Sequence, residues 1–246
     1  MMELRGLEKV VPQTHIHAHN DNESDQPLLR SLSRGIAYIE VDIWLKDGIL
    51  YAQHGRPYII NPNKKFTITY LDPLFAYFKK NGTIYHCDTH HLTLVLDIKT
   101  APKITYHAIL DVLKPYYSMI SHWENHNQIP KPVSILLSGN STLEIIQNQF
   151  ERWVQVDGRI SDLGQNHAPS IVPTISEKYS KVLGWHPFSE FPSVKKLENL
   201  RSITKQVHEE GKLFRLWKIP EDKAVVKLLM ENGVDIVSLD DLGVGF

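Results

Sequence analysis

Apolar positions along the chain follow two rhythms. Short aliphatic runs alternate with longer stretches in which apolar residues recur every three or four positions. Runs such as Leu92–Ile98 (LTLVLDI) carry almost no polar interruption, as expected of strands covered on both faces in a parallel sheet. The pattern predicts strands at Gln13–His19, Tyr38–Ile43, Leu92–Ile98, Val133–Leu137, Trp153–Asp157, Lys181–Trp185, Leu213–Trp217 and Val234–Leu239. It predicts helices at Pro27–Arg34, Pro73–Lys80, Tyr106–Met119, Thr142–Phe150, Val194–Glu210 and Glu221–Glu231, with Gly35, Gly82, Gly211 and Gly233 as stops. A turn at Lys46-Asp47-Gly48 folds the second strand back into an extended run, Ile49–Gln53, that delivers His54.

Strands alternate with helices, and no linker rich in Gly, Ser or Pro divides the chain. The expectation is an α/β protein with one (β/α)8 TIM barrel spanning residues 1–246, close to the roughly 250 residues typical of that fold. Composition agrees, with 42% hydrophobic and 22% charged residues. A net charge of −1 provides no overall basic field to recruit nucleic acid or an anionic membrane. Cys87 is the sole cysteine, which excludes an intrachain disulfide and a thiolate zinc cluster. No run reaches the ~18–20 apolar residues of a membrane span. The opening MMELRGLEKVVPQ lacks the apolar segment of a secretion signal. Localisation stays open: cytoplasmic if the chain is complete, periplasmic or secreted if a leader has been removed.

Period-two alternation puts Glu40 and Asp42 on one face of the second strand. An E-x-D pair is often only a solvated face, but apolar residues on both faces of this strand bury it, and buried carboxylates need partners. In a barrel, partners come from the C-terminal ends of neighbouring strands. There lie His17 and His19 on one face of strand one, Asp97 and Lys99 at the end of strand three, and Arg215 and Trp217 at the end of strand seven. Glu40, Asp42 and Asp97 together make a hard, all-oxygen site suited to Mg²⁺, or alternatively Ca²⁺. His17 and His54 could serve as general base and general acid, with Lys99 as a point charge for a non-bridging phosphate oxygen. These parts point to phosphodiester cleavage. Arg215 is either a phosphate clamp or half of a structural ion pair.

The motifs His17-Ala18-His19-Asn20, Glu40-Val41-Asp42, His54, Asp97-Ile98-Lys99-Thr100 and Phe214-Arg215-Leu216-Trp217, closed by Gly233 to Asp240, resemble the phospholipase C-like phosphodiesterase barrels. The similarity is to the branch holding glycerophosphodiester phosphodiesterases, venom-type phospholipases D and the altered-inheritance-of-mitochondria relatives. It implies Glu40, Asp42 and Asp97 as metal ligands and His17 and His54 as catalytic histidines. It also implies that Lys99 and Trp217 line the substrate side; His19, Asn20 and Arg215 are grouped with them as substrate-binding candidates. The implied partner is a small-molecule or lipid phosphodiester, split through attack by a neighbouring hydroxyl. Two positions depart from the glycerophosphodiesterase pattern: Ala18 stands where an arginine is usual, and Asp97 where a glutamate is. Choosing His17 over His19 rests on the H-x-x-N spacing to Asn20.

Two other functions fit parts of the chain. His15-Ile16-His17 and His17-Ala18-His19 match the H-x-H of amidohydrolase-type barrels, although of the later histidines only His186 would fit such a site. A barrel that binds a phosphate or lipid without turnover is the third reading. The run from His86 to His91 reads as a solvated loop, Trp185-His186 as the end of strand six, the remaining histidines as surface, and Asp240 and Asp241 as a turn cap.

Overall fold

The backbone groups of a strand must be paired on both edges, and here the strands meet that need by closing on themselves. The computed structural model describes residues 4, 6–7, 10–55, 59–85, 91–125, 127–140, 143–184 and 192–245. Its strands are β1 (Gln13–Ala18), β2 (Ile36–Lys46), β3 (Ile49–Ala52), β4 (Leu92–Ile98), β5 (His122–Glu124), β6 (Asn127–Ile129), β7 (Val133–Gly139), β8 (Gln155–Arg159), β9 (Thr174–Lys178), β10 (Leu213–Trp217) and β11 (Ile236–Leu239). Among the described residues, β1, β2, β4, β7, β8, β9, β10 and β11 pair in that order, all parallel, and β11 returns to β1. This is a closed eight-stranded (β/α)8 barrel.

The helices are α1 (Leu29–Leu32), α2 (Asp72–Asn81), α3 (Pro102–Leu113), α4 (Leu143–Ile146), α5 (Tyr179–Val182), α6 (Val194–Glu209) and α7 (Lys223–Glu231). Their ends follow local chemistry. Pro102 opens α3, where a missing N–H costs no hydrogen bond, and the Asp222 carboxylate accepts from the Ala224 N–H at 2.7 Å to cap α7. The apolar strand residues that face outward, such as Leu94, Leu96 and Val237, are fully buried, each contributing about 1.5–3 kcal/mol of transfer free energy.

β2 runs past the barrel and turns back as the antiparallel β3, with Ile43 opposite Ala52 and Lys46 opposite Ile49. The Gln53 N–H donates to the Asp42 carbonyl at 3.1 Å, so His54 sits directly over the acidic strand. The loop after β1 is tied down equally firmly. Asp21 accepts from the Leu28 N–H, the Ser31 hydroxyl and the Tyr70 hydroxyl, while the Asn22 side chain accepts from the Asp42 N–H at 2.9 Å.

Several boundaries differ from expectation. The sixth barrel strand is Thr174–Lys178, not Lys181–Trp185; residues 179–182 are helical, and Trp185 and His186 lie outside the described residues. The strand reads as polar because Ser176 faces a polar barrel interior and Glu177 pairs with Lys181 at 3.1 Å. The β5–β6 hairpin is absent from the apolar pattern, and it buries His122, which the pattern puts on the surface. The helix expected at Tyr106–Met119 starts earlier, at Pro102, and tightens into a 3-10 turn over Lys114–Met119.

The polar interior centres on Asp157 of β8. Its carboxylate accepts from Arg215 (2.6 Å), Arg159 (2.8 Å), Ser176 (2.7 Å), Ser138 (3.0 Å) and Thr174 (2.8 Å). Burial alone would raise its pKa, but the two guanidinium groups and the hydroxyls of Ser176 and Thr174 hold it well below the usual carboxylate range. At the end of β7, Gly139 adopts φ +74°, and a Cβ there would lie 2.0 Å from the Asp97 Oδ1 and 2.7 Å from the Ile98 carbonyl oxygen.

Two stability measurements follow. Asp157→Asn leaves the buried Arg215 and the half-buried Arg159 without their shared counter-charge and should cost about 3–5 kcal/mol in denaturant unfolding. Because the folded carboxyl titrates below its unfolded value of about 3.9, its stabilising contribution is complete above that pH and is lost as pH falls beneath it; the variant should therefore show a flatter acid limb. Gly139→Ala should cost about 1–3 kcal/mol through strained φ and displacement of Asp97, read as a lower urea midpoint at unchanged m-value.

Candidate active site

In β2 and β4 the parallel register sets Asp42 beside Asp97, and Glu40 lies two residues back on the same face of β2. One carboxylate oxygen from each of the three lies within 4.8 Å of the others. Glu40 and Asp42 are buried and Asp97 is half-buried. Burial, with Asp97 and Asp42 adding to it, pushes Glu40 up to about 7 against the opposing charges of His19 and Arg215. An all-oxygen donor set this close fits a hard divalent ion such as Mg²⁺ or Ca²⁺, and among the described residues no other cluster of ligating side chains has this geometry.

Cations already face the triad. The Lys99 ammonium lies 2.9 Å from Asp42 Oδ1 and donates to Asp97. Burial works against its charge, but the two carboxylates raise its pKa regardless. Arg215 Nη1 is 3.7 Å from Glu40 Oε2 while its Nη2 holds Asp157. Burial disfavours this guanidinium too, but Asp157 and Glu40 keep it charged.

The histidines fall into two layers. His17 is fully buried, with Nε2 3.3 Å from Glu40 Oε2 and 3.2 Å from Arg215 Nη1. Burial, then Arg215 and His19, drive its pKa well below the ordinary imidazole value, so it is a neutral member of the barrel interior. His19, two residues on and one layer higher, opens to the cleft. Its Nδ1 is 2.7 Å from Asp240 Oδ1, and its Nε2 is 3.7 Å from Glu40 Oε1. His54 also lines the cleft, with Nδ1 2.5 Å from Asp42 Oδ2.

The cleft at the C-terminal mouth of the barrel has a volume of about 490 Å³. Of the residues singled out in the sequence, His19, Asn20, Glu40, His54, Asp97, Lys99, Arg215 and Trp217 line it, while Asp42 and His17 lie beneath. The Asn20 amide reaches the His19 ring at 3.2 Å. Sequence reasoning missed Asp157, Arg159 and Ser138, and it assigned Asp240 to a turn, where in fact it also orients His19. Ending strand five at Asp157 hid the alternation Gln155, Asp157, Arg159, which would have flagged two charges on the interior face. The run 86–90 lies outside the described residues.

The chain is 25% identical over 93% of its length to altered inheritance of mitochondria protein 6 of Eremothecium gossypii, covering 68% of that protein. It is 24% identical over 95% of its length to the protein of the same name in Lachancea thermotolerans, covering 64%. It therefore spans about two thirds of the length of these relatives. A crystal structure of glycerophosphodiester phosphodiesterase from Agrobacterium tumefaciens shares the fold, with a TM-score of 0.54 at 12% identity over 94% of this chain and 97% of that one. The AIM6-like phosphodiesterase domain matches residues 6–157, the span that carries β1 to β7, the first part of β8, the carboxylate triad and both cleft histidines, and the chain belongs to that family.

Proposed function

We propose that the chain is a divalent-cation-dependent phosphodiesterase acting on a glycerophosphodiester or lysophospholipid-like diester. The observation that carries this reading is the approach of Glu40, Asp42 and Asp97 within 4.8 Å at the floor of a cleft that two carboxylate-oriented imidazoles also line. These three residues would hold Mg²⁺, or alternatively Ca²⁺. Bound there, the ion would draw in a non-bridging phosphate oxygen and offset charge developing on phosphorus.

His19 and His54 each turn Nδ1 toward a carboxylate, Asp240 and Asp42 respectively, which leaves Nε2 of each ring for proton transfer. One imidazole takes the proton of an attacking substrate hydroxyl, and the other gives a proton to the departing alcohol oxygen as its bond to phosphorus breaks. When the hydroxyl belongs to the substrate itself the product is a cyclic phosphate, which water opens with the two roles exchanged. His17, the residue that resemblance assigns to this work, yields it to His19 because a buried imidazole pressed against Arg215 is a poor proton acceptor. Lys99 steadies Asp42 and Asp97 and offers its charge to the phosphate.

Hydrolysis of a panel of glycerophosphodiesters and lysophospholipids with Mg²⁺, Ca²⁺ or EDTA tests the reading. Turnover should vanish in EDTA and in Glu40→Gln while the far-UV circular dichroism spectrum is unchanged; a folded protein inactive on every diester with either ion overturns it. His19→Ala and His54→Ala should each lower kcat by about 10²–10⁴-fold, with little change in melting temperature. His17→Ala should instead lower the melting temperature first, because it opens a cavity beneath Glu40.

A further inference from the structure

β8 lies directly across the barrel from β1, four strands away in either direction, and Arg159 stands at its C-terminal end in the wall of the cleft. One edge of its guanidinium is fully engaged. Nη1 donates to Asp157 Oδ2 (2.8 Å), Ser176 Oγ (2.6 Å) and the Gly158 carbonyl (3.0 Å), which locks the plane of the group. The other edge is not: among the described residues Nη2 makes one long contact, 3.4 Å to Ser138 Oγ, and the side chain is 36% exposed.

Among the described residues Asp157 is the one carboxylate within ion-pair distance of Arg159, and Arg159 shares it with Arg215 while itself lining the cleft. Arg159 forms no hydrogen bond or ion pair with Glu40, Asp42 or Asp97 among the described residues; the shared Asp157 stands between it and Arg215. A phosphate drawn to the carboxylate triad would thus be served by Lys99 and Arg215, and the free edge of Arg159 would meet a different group of the same molecule. A planar guanidinium held on one edge and open on the other is suited to an oxyanion taken by paired N–H donors.

We propose that Arg159 is a specificity-determining residue that binds a second oxyanion, a phosphomonoester or a carboxylate, on the alcohol portion of the diester. This rests on the phosphodiesterase reading of the cleft. Its substrates are then diesters with at least two anionic groups, in preference to those whose alcohol is neutral or cationic.

Two matched pairs test it with the intact protein and Mg²⁺. Glycerophosphoinositol and its 4-phosphate differ by one phosphomonoester; glycerophosphoethanolamine and glycerophosphoserine differ by one carboxylate. In at least one pair the anionic member should have a kcat/KM about tenfold or more above its parent, the gain lying mainly in KM. That ratio should fall to about one in Arg159→Gln, and stay intermediate in Arg159→Lys, which keeps the charge beside Asp157 and loses the fork. Equal kcat/KM within both pairs for the wild type, or a preference that survives Arg159→Gln, overturns the proposal. A separate titration of inositol 4-phosphate in EDTA, followed by calorimetry, needs no turnover: binding should weaken about tenfold in Arg159→Gln, and no binding by the wild type overturns the Arg159 site. Binding without hydrolysis of any diester would leave that site standing and remove the enzymatic reading, while hydrolysis without preference would do the reverse.

Discussion

Three negative charges gathered at one barrel mouth are the constraint to which the surrounding structure answers. Coulomb's law puts about 4 kcal/mol on a pair of like charges 4 Å apart at an effective dielectric near 20, so Glu40, Asp42 and Asp97 cannot share this space uncompensated. Lys99 lies against two of them and Arg215 near the third. Arg215 is itself buried and needs a carboxylate, which Asp157 supplies, and Asp157 in turn draws in Arg159 and three hydroxyls. One cluster of charge on β2 and β4 thereby propagates across the interior to β8, β9 and β10. The polar residues that those strands turn inward, Asp157, Ser176 and Arg215, are a consequence of it.

Much of the barrel was legible because parallel strands covered by helices must be aliphatic. Leu92–Ile98 and Leu213–Trp217 begin and end where the apolar runs do. The reading fails where strands serve the interior network. Thr174–Lys178 carries Ser176 and Glu177 because its inward and lateral neighbours are charged, so the apolar run just downstream, around Val182 and Leu183, attracted the assignment instead. The β5–β6 hairpin is equally silent: its Trp123 packs over the Arg152 guanidinium at 4.6 Å, a contact no periodicity announces.

For the candidate site, alternation alone put Glu40 with Asp42 and Asp97 with Lys99, and the register of β2 on β4 joined the two pairs. Alternation also put His17 and His19 on one face, but it carries no information about depth. Which of the two reaches the cleft depends on how far β1 rises before it ends at Ala18, and that is a property of the closed barrel. Asp157 and Arg159 escaped for a related reason: Gly158 and Arg159 look like the start of a loop, and only pairing with β9 extends the strand through them.

The β2–β3 arm separates two tasks that a barrel usually combines. His54 is carried by a ribbon whose backbone pairs with the overhanging end of β2 on one side and with Lys64 and Lys65 on the other, and its ring is anchored to Asp42 inside the wall. Lengthening or rebuilding the tip around Asp47 and Gly48 would leave the ladder below untouched, while the height of the imidazole would still be set by its own carboxylate tether. Such an arm is a natural place for descendants of this chain to exchange one roof for another, and so admit bulkier or slimmer molecules, without disturbing the hearth underneath.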